Sequence, residues 1–292
     1  MANNFYNIFR CPDDLSEVVN KNLYLECKKC KKHFSILADN LVEMLPDRFP
    51  EWGLEGNENR DTEKGYFDLA HKPFSWKKDP VGWGFLYYLQ SSGYRGFVNK
   101  EIEMIKKFIP ESLKNGLMID VSAGCGNYSV DLSQIASLFV HCEAEDQSLL
   151  NAKTRAVDCK RENIVFVRGN YLKLPVPDDF FNVAICTDTL IRGRNHEKEL
   201  LKEIYRALKK GGMGIVDFHN DRPFASKRNP YISFYGKEKI KEMLGELGMN
   251  NFEIYSCGHF PTSLAPSEFI YKIMDRVFSF LPPTRYIAVI QK

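Results

Sequence analysis

Met118-Ile119-Asp120-Val121-Ser122-Ala123-Gly124-Cys125-Gly126 is the stretch that decides how this chain folds. Its apolar start, with Leu117 before it, reads as a short strand. The strand runs into a loop of small residues, Ser122, Ala123, Gly124 and Gly126. Small side chains let a backbone approach a ligand closely, and glycine reaches dihedrals closed to other residues. The pattern then resumes as a helix over 128–135, whose free backbone N–H groups suit a carboxylate or phosphate. Alone, such a loop also reads as a plain tight turn.

Outward from the loop, strands and helices alternate. Strands are expected at 117–119, 138–140, 164–167, 183–186, 213–218, 252–255 and 286–290. Helices are expected at 100–109, 147–157, 196–208 and 237–247 from apolar spacing. Lys209-Lys210-Gly211-Gly212 reads as a helix end, with basic residues in the last turn and a glycine cap. Such alternation implies a mainly parallel sheet covered on both faces. In sheets of this kind ligands bind at the carboxyl ends of the strands, where strand order reverses.

Three features near those ends narrow the ligand. Asp120 closes the first strand, where an acid suits a ligand carrying an amino group and a positive charge. Nicotinamide-dinucleotide folds run an apolar strand directly into the glycines, so Asp120 disfavours an oxidoreductase. Glu143 closes the second strand and can accept from both ribose hydroxyls, with Glu145 and Asp146 as close competitors. Gly169-Asn170-Tyr171 follows the third. The Asn170 oxygen can accept from an adenine amino group and Tyr171 can pack on the ring, although asparagine is more often a turn residue.

From about residue 96 to 255 the chain resembles the class I S-adenosylmethionine-dependent methyltransferases. The matching segments are 118–126, then Gly169-Asn170-Tyr171 with Leu174-Pro175, then Asp179-Phe180-Phe181-Asn182-Val183, then 203–212 ending in Lys209-Lys210-Gly211-Gly212. The resemblance implies a Rossmann-like, mostly parallel sheet of seven strands. It implies S-adenosylmethionine contacts at the glycine loop, at Glu143, at Asn170, and after the fourth strand near Thr187 and Asp188. The chain departs from the family at Ser122, where glycine is usual, and at Asn170 and Asn182, where aspartate is usual. Methyl transfer from a sulfonium asks mainly for in-line placement and exclusion of water. If the acceptor must lose a proton, His219 and His196 are the candidate bases. His196 also reads as a simple helix cap.

The amino-terminal residues 1–46 read as a separate module. Cys11 precedes Cys27-Lys28-Lys29-Cys30-Lys31-Lys32-His33, which resembles half of a zinc ribbon. Zinc would use Cys11, Cys27, Cys30 and either Asp14 or His33. The module is also compatible with a ribbon that keeps its fold without metal. It resembles the ribbons of rRNA guanine methyltransferases and the small zinc-ribbon activators of methyltransferases, and its lysines suit phosphate contacts or a solvated rim.

Residues 47–95 form an aromatic segment, expected as a lid or as packing between module and core. Tyr94, Arg95 and Trp83 are its candidate acceptor contacts. Residues 96–292 form the methyltransferase domain. The apolar stretch 263–283 between the last two strands is a candidate second wall of the cleft or an oligomer contact.

Composition sets the outer limits. The 292 residues are 44% hydrophobic and 27% charged, ordinary for a globular protein, with 13% aromatic. Net charge is +2 from 40 basic and 38 acidic residues, which disfavours a partner held mainly through phosphates. No signal pattern or membrane-length apolar run is evident, so a cytoplasmic location is expected. The eight dispersed cysteines fit thiol packing or metal binding better than disulfides. The expected activity is methyl transfer to O, N or C of a small or medium-sized acceptor. The alternatives are an RNA base methyltransferase and a non-catalytic cofactor-binding relative.

Overall fold

The structure, a computed structural model, describes residues 5–38, 40–47, 91–190, 196–221 and 233–292. Trp83 and the expected lid, up to residue 90, lie outside the described residues.

The central strands follow the expected pattern: β5 (Leu117–Val121), β6 (Leu138–Glu143), β7 (Ile164–Gly169), β8 (Phe181–Cys186) and β9 (Leu208–His219), then β10 (Phe252–Cys257) and β11 (Arg285–Gln291). Ahead of them stand β1 (Val18–Asn20), β2 (Tyr24–Cys27), β3 (His33–Ala38) and β4 (Leu41–Met44). All join one mixed eleven-stranded sheet in the order β1-β2-β3-β4-β7-β6-β5-β8-β9-β11-β10. The expectation of a seven-stranded sheet is therefore corrected. β5 to β9 pair in parallel, and β11 lies antiparallel between β9 and β10. The extra strands enter through β4, which pairs in parallel with β7. Leu41, Val42 and Met44 are almost fully buried there. A short apolar strand becomes buried in this way by covering an otherwise open sheet edge.

The order reverses at β5, between β6 and β8, the place where sheets of this kind open a crevice at the carboxyl ends. Strands buried on both faces read as near-continuous apolar runs, as Ile164-Val165-Phe166-Val167 shows. One core runs from Phe9, Cys11 and Phe34 of the amino-terminal module through Val42 and Met44 to Val121, Cys142 and Val167.

The helices are α1 (Ser92–Phe108), α2 (Ser129–Leu132), α3 (Asp146–Asp158), α4 (Glu197–Ala207), α5 (Lys237–Glu246) and α6 (Glu268–Val277). α1 starts well before residue 100, capped by Ser91, whose side chain accepts from Tyr94 N–H. Gly93 and Gly96 conceal this start, because glycine disfavours helix interiors. They are required here by close packing. A Cβ on Gly93 would collide with the Thr262 carbonyl oxygen, and one on Gly96 would lie 2.9 Å from Tyr271 Cβ. α2 is shorter than expected and continues as a 3-10 turn over Ser133–Ile135. The glycine cap expected after α4 is absent: Leu208 is extended and Lys209-Lys210-Gly211-Gly212 already belongs to β9. Gly211 keeps a positive φ of 76° and donates its N–H to the Lys292 carbonyl. No helix among the described residues is long and apolar enough to cross a membrane.

Candidate functional site

The cleft has two halves. The first is built by β5, β6 and β7. Asp120 sits near the end of β5, 1% exposed, and neither carboxylate oxygen has a hydrogen-bond partner among the described residues. Burial, and then the nearby Glu143 charge, hold its pKa well above the ordinary value against a weaker pull from the Ser129 backbone. An unpartnered buried acid is costly, and a ligand at this position would supply the missing partner. After it the backbone turns left-handed at Ser122 (φ 58°), Gly124 (53°) and Gly126 (75°). Serine at such a φ is strained, which gives the physical reason for glycine there in the family. A Cβ on Gly126 would lie 2.9 Å from Ala152 Cβ on α3, so this glycine seats helix against loop. A Cβ on Gly124 would meet nothing within 4 Å, leaving that face open to a ligand.

Glu143 is 9% exposed and braces the loop. Its Oε2 accepts from Gly124 N–H at 2.7 Å, and its Oε1 from Ala144 N–H at 2.7 Å and Glu145 N–H at 2.9 Å. Burial raises its pKa, and the backbone bonds from Glu145 and Gly124 oppose that rise. Three of about four acceptor positions are thus used, so Glu143 has less free accepting capacity than its sequence position suggests. Asn170 is buried, and its Oδ1 accepts from Leu172 N–H at 2.8 Å. This is the turn role of asparagine. Tyr171 packs on the core beside it. Thr187 is buried after β8, and its carbonyl accepts from Thr189 Oγ1 at 3.2 Å. The residues present fit S-adenosylmethionine: an orphaned acid, an open left-handed loop and a carboxylate with some accepting capacity left.

The second half lies at the ends of β8, β9 and β11. Asp188, with φ 59°, accepts from Tyr94 OH at 3.2 Å and pairs with His219 Nε2 at 3.0 Å. Its N–H donates to Asp217 Oδ1 at 2.8 Å. The buried guanidinium of Arg285 ties three acids together: Asp217 at 2.6 Å, Glu101 at 3.1 Å, and Asp188. It also lies 4.6 Å from the centre of the Phe97 ring. Tyr128 OH donates to Glu101. Burial pushes the Asp217 pKa up to about 7 against the pull of Arg285, and it raises Glu101 too. Burial would also raise Asp188, but Arg285 and His219 outweigh it and hold that carboxyl well below its ordinary value.

Sequence reading places His219 and Tyr94 here but misses Asp217, Arg285, Glu101 and Tyr128. A signal is present. Asp217 interrupts the apolar run of β9, and Arg285 opens the apolar run of β11, where it pairs in register with His219. Two other candidates lie elsewhere. Arg95 Nε donates to Glu268 at 3.0 Å, joining α1 to α6. His196 is the N-cap residue of α4, makes no side-chain capping bond and is outside the Asp188, Asp217 and His219 group.

In the amino-terminal module, the ligand atoms of Cys11, Asp14, Cys27 and Cys30 lie within 4.8 Å of one another. Cys11 Sγ is 3.7 Å from Cys30 Sγ, and Cys27 Sγ is 3.7 Å from Asp14 Oδ1. A tetrahedron with Zn–S near 2.3 Å has edges of about 3.8 Å, so the spacing suits zinc. Of the two alternatives for the fourth ligand, the structure brings in Asp14. His33 stacks on Tyr24 and faces Glu26 at 3.4 Å instead. Lys28 pairs with Glu17, and Lys32 with Asp13 and Asp47. Two of the lysines considered for phosphate contacts are therefore already paired.

Residues 119–216 match the methyltransferase domain family. The chain is 25% identical over 171 residues to a demethylmenaquinone methyltransferase of Shouchella clausii, covering 47% of this chain and 72% of that protein. It is 28% identical over 145 residues to a ubiquinone/menaquinone biosynthesis C-methyltransferase of Vibrio parahaemolyticus, covering 47% of this chain and 54% of that protein. In fold it is similar to magnesium protoporphyrin IX methyltransferase of Synechocystis with bound S-adenosylhomocysteine. There the TM-score is 0.54 at 14% identity, covering 83% of this chain and 100% of that one. Residues 119–216 thus match a methyltransferase domain, and the described residues share the fold of a solved methyltransferase.

Proposed function

We propose that the chain transfers the methyl group of S-adenosylmethionine to a small or medium-sized ring acceptor with an acidic proton, of the hydroquinone or phenol class. The acceptor class is supported by the likeness to quinone-directed methyltransferases and by the second half of the cleft. The observation that carries the reading is His219, held through Nε2 by Asp188, while among the described residues no protein group engages its Nδ1. In this reading Asp120, the loop from Ser122 to Gly126, Glu143, Asn170, Tyr171 and Thr187 hold the cofactor, which supplies an activated methyl on a sulfonium. His219 takes the acceptor proton at Nδ1, and the Asp188 carboxylate stabilises the imidazolium that results. Tyr94 fixes Asp188 by its hydroxyl. We extend the proposal to a structural zinc ion on Cys11, Asp14, Cys27 and Cys30.

Titration calorimetry with S-adenosylhomocysteine, followed by a methyl-transfer assay over hydroquinones, catechols and amines, tests the reading. Binding together with turnover of a hydroxylated ring is expected. No calorimetric binding would sink the cofactor assignment. Turnover confined to amines would sink the acceptor class. Salt-sensitive retardation of RNA with base methylation would move the chain to the RNA alternative.

A further inference from the structure

The amino-terminal module is welded to the wall of the cofactor cleft, and the weld can be followed atom by atom. Lys32 Nζ clasps Asp13 at 3.0 Å, the Leu45 carbonyl at 3.1 Å and Asp47 at 2.6 Å. This ties the knuckle that holds Asp14 to the exit of β4. β4 lies against β7 with Glu43 opposite Arg168 and Met44 opposite Gly169, one residue before Asn170. Glu43 Oε1 faces Arg168 Nη1 at 3.4 Å, and both side chains are largely buried. Arg168 Nε donates to the Ala144 carbonyl at 3.2 Å, and Ala144 N–H is one of the donors that hold Glu143. A second strut runs from Arg10 N–H to the Pro175 carbonyl at 2.9 Å, behind the Asn170 loop.

From this path we infer that the module is an internal support for the cofactor site. Glu43 and Arg168 are its positioning residues, and zinc on the module tightens S-adenosylmethionine binding at the opposite end. The inference rests on the zinc reading above. In a small module, metal binding and folding are one equilibrium. Losing the ion therefore loosens the knuckle, and through the Lys32 clasp it loosens the exit of β4 and the Glu43–Arg168 contact beside the Glu143 turn. The coupling is thermodynamic, so it runs both ways: the bound cofactor holds the ion more tightly by the same factor.

The test uses the full chain. Metal content is measured on the purified protein. S-adenosylhomocysteine affinity is then measured by calorimetry on zinc-loaded and chelator-stripped protein, and zinc affinity by chelator competition with and without saturating S-adenosylhomocysteine. We expect both affinities to change by the same factor, about fivefold to tenfold. In case stripping unfolds the chain, Glu43→Gln keeps the ligands intact. It should retain zinc, weaken S-adenosylhomocysteine by about threefold to tenfold and leave kcat at saturation nearly unchanged. Glu43→Asp should restore part of the loss. Equal cofactor affinity in loaded and stripped folded protein, or in Glu43→Gln and wild type, overturns the coupling. Zinc-free wild-type protein that takes up no added zinc overturns the metal reading, while a weakened Glu43→Gln would still establish the support.

Discussion

The two halves of the cleft are built on opposite plans. The cofactor half is local: Glu143 bonds to its own next two N–H groups and to Gly124, and Asn170 bonds two residues on. The half proposed for the acceptor is assembled from far apart, by Tyr94 and Glu101 of α1, Asp188 after β8, Asp217 and His219 of β9 and Arg285 of β11. Backbone donors hold the Glu143 carboxylate in the first. A single guanidinium does so for three acids in the second. Local hydrogen bonding survives loss of one side chain, whereas a shared buried cation does not.

The largest expected effect follows from that difference. Arg285→Met should destabilise the protein by about 3–5 kcal/mol in urea unfolding, because it strands buried acids without their cation. Stability within about 1 kcal/mol of wild type would mean that Arg285 does not hold the acceptor half together. Next comes chemistry. His219→Ala should lower kcat by about 10²–10³ and leave S-adenosylhomocysteine affinity intact, if His219 is the proton acceptor. An equal loss of affinity would show the two halves to be one unit.

The same contrast decides what can be read from residues alone. The strand, loop and acid at 117–126 carry their structure in neighbouring positions, so the parallel strands around β5 and the left-handed glycine loop are legible. Arg285 and Asp217 meet only when β11 inserts beside β9, and no local pattern announces an antiparallel insertion. β4 is hidden for a related reason. Leu41-Val42-Glu43-Met44 is too short to show periodicity, and its parallel partner β7 lies far along the chain. Its effect is large nonetheless, since it converts an apparent appendage into part of the sheet. Gly93 and Gly96 mislead in the other direction: they read as interruptions of α1 and are its contact face.

Protonation offers a finer probe of the acceptor half. The folded-state pKa of Asp217, about 7, lies above its ordinary value of 3.8. The folded protein therefore binds more protons than the unfolded chain between those values, and stability from this group falls as pH rises from about 4 to about 7. Asp188 acts oppositely. Its depressed pKa supplies stability above the ordinary value that is lost as pH falls below it. Asp217→Asn should flatten the decline between about pH 5 and 7 in thermal unfolding and leave the acid limb in place. An unchanged slope would show that Asp217 titrates normally.

In the cofactor half the corresponding test is Asp120→Asn. The wild-type acid is buried, unpartnered and raised in pKa, so above about pH 4 it costs the ligand-free fold stability. The amide should therefore stabilise free protein while weakening S-adenosylmethionine by about tenfold, the scale of one lost charge-assisted contact. A variant that is both less stable and fully binding would make Asp120 a structural residue.

The smallest effect belongs to Ser122. Its φ of 58° places a side chain in the left-handed region. That conformation costs a non-glycine residue about 1–2 kcal/mol. Ser122→Gly should recover only part of that strain, because glycine also loses more entropy on folding. An increase in stability of about 0.5–1 kcal/mol with unchanged affinity is expected, read from denaturation and calorimetry in parallel. Weaker binding instead would give the hydroxyl a role toward the ligand. The serine would then accept backbone strain in exchange for a polar group facing the cofactor, and the cofactor half would depend on a side chain at a turn that otherwise relies on backbone.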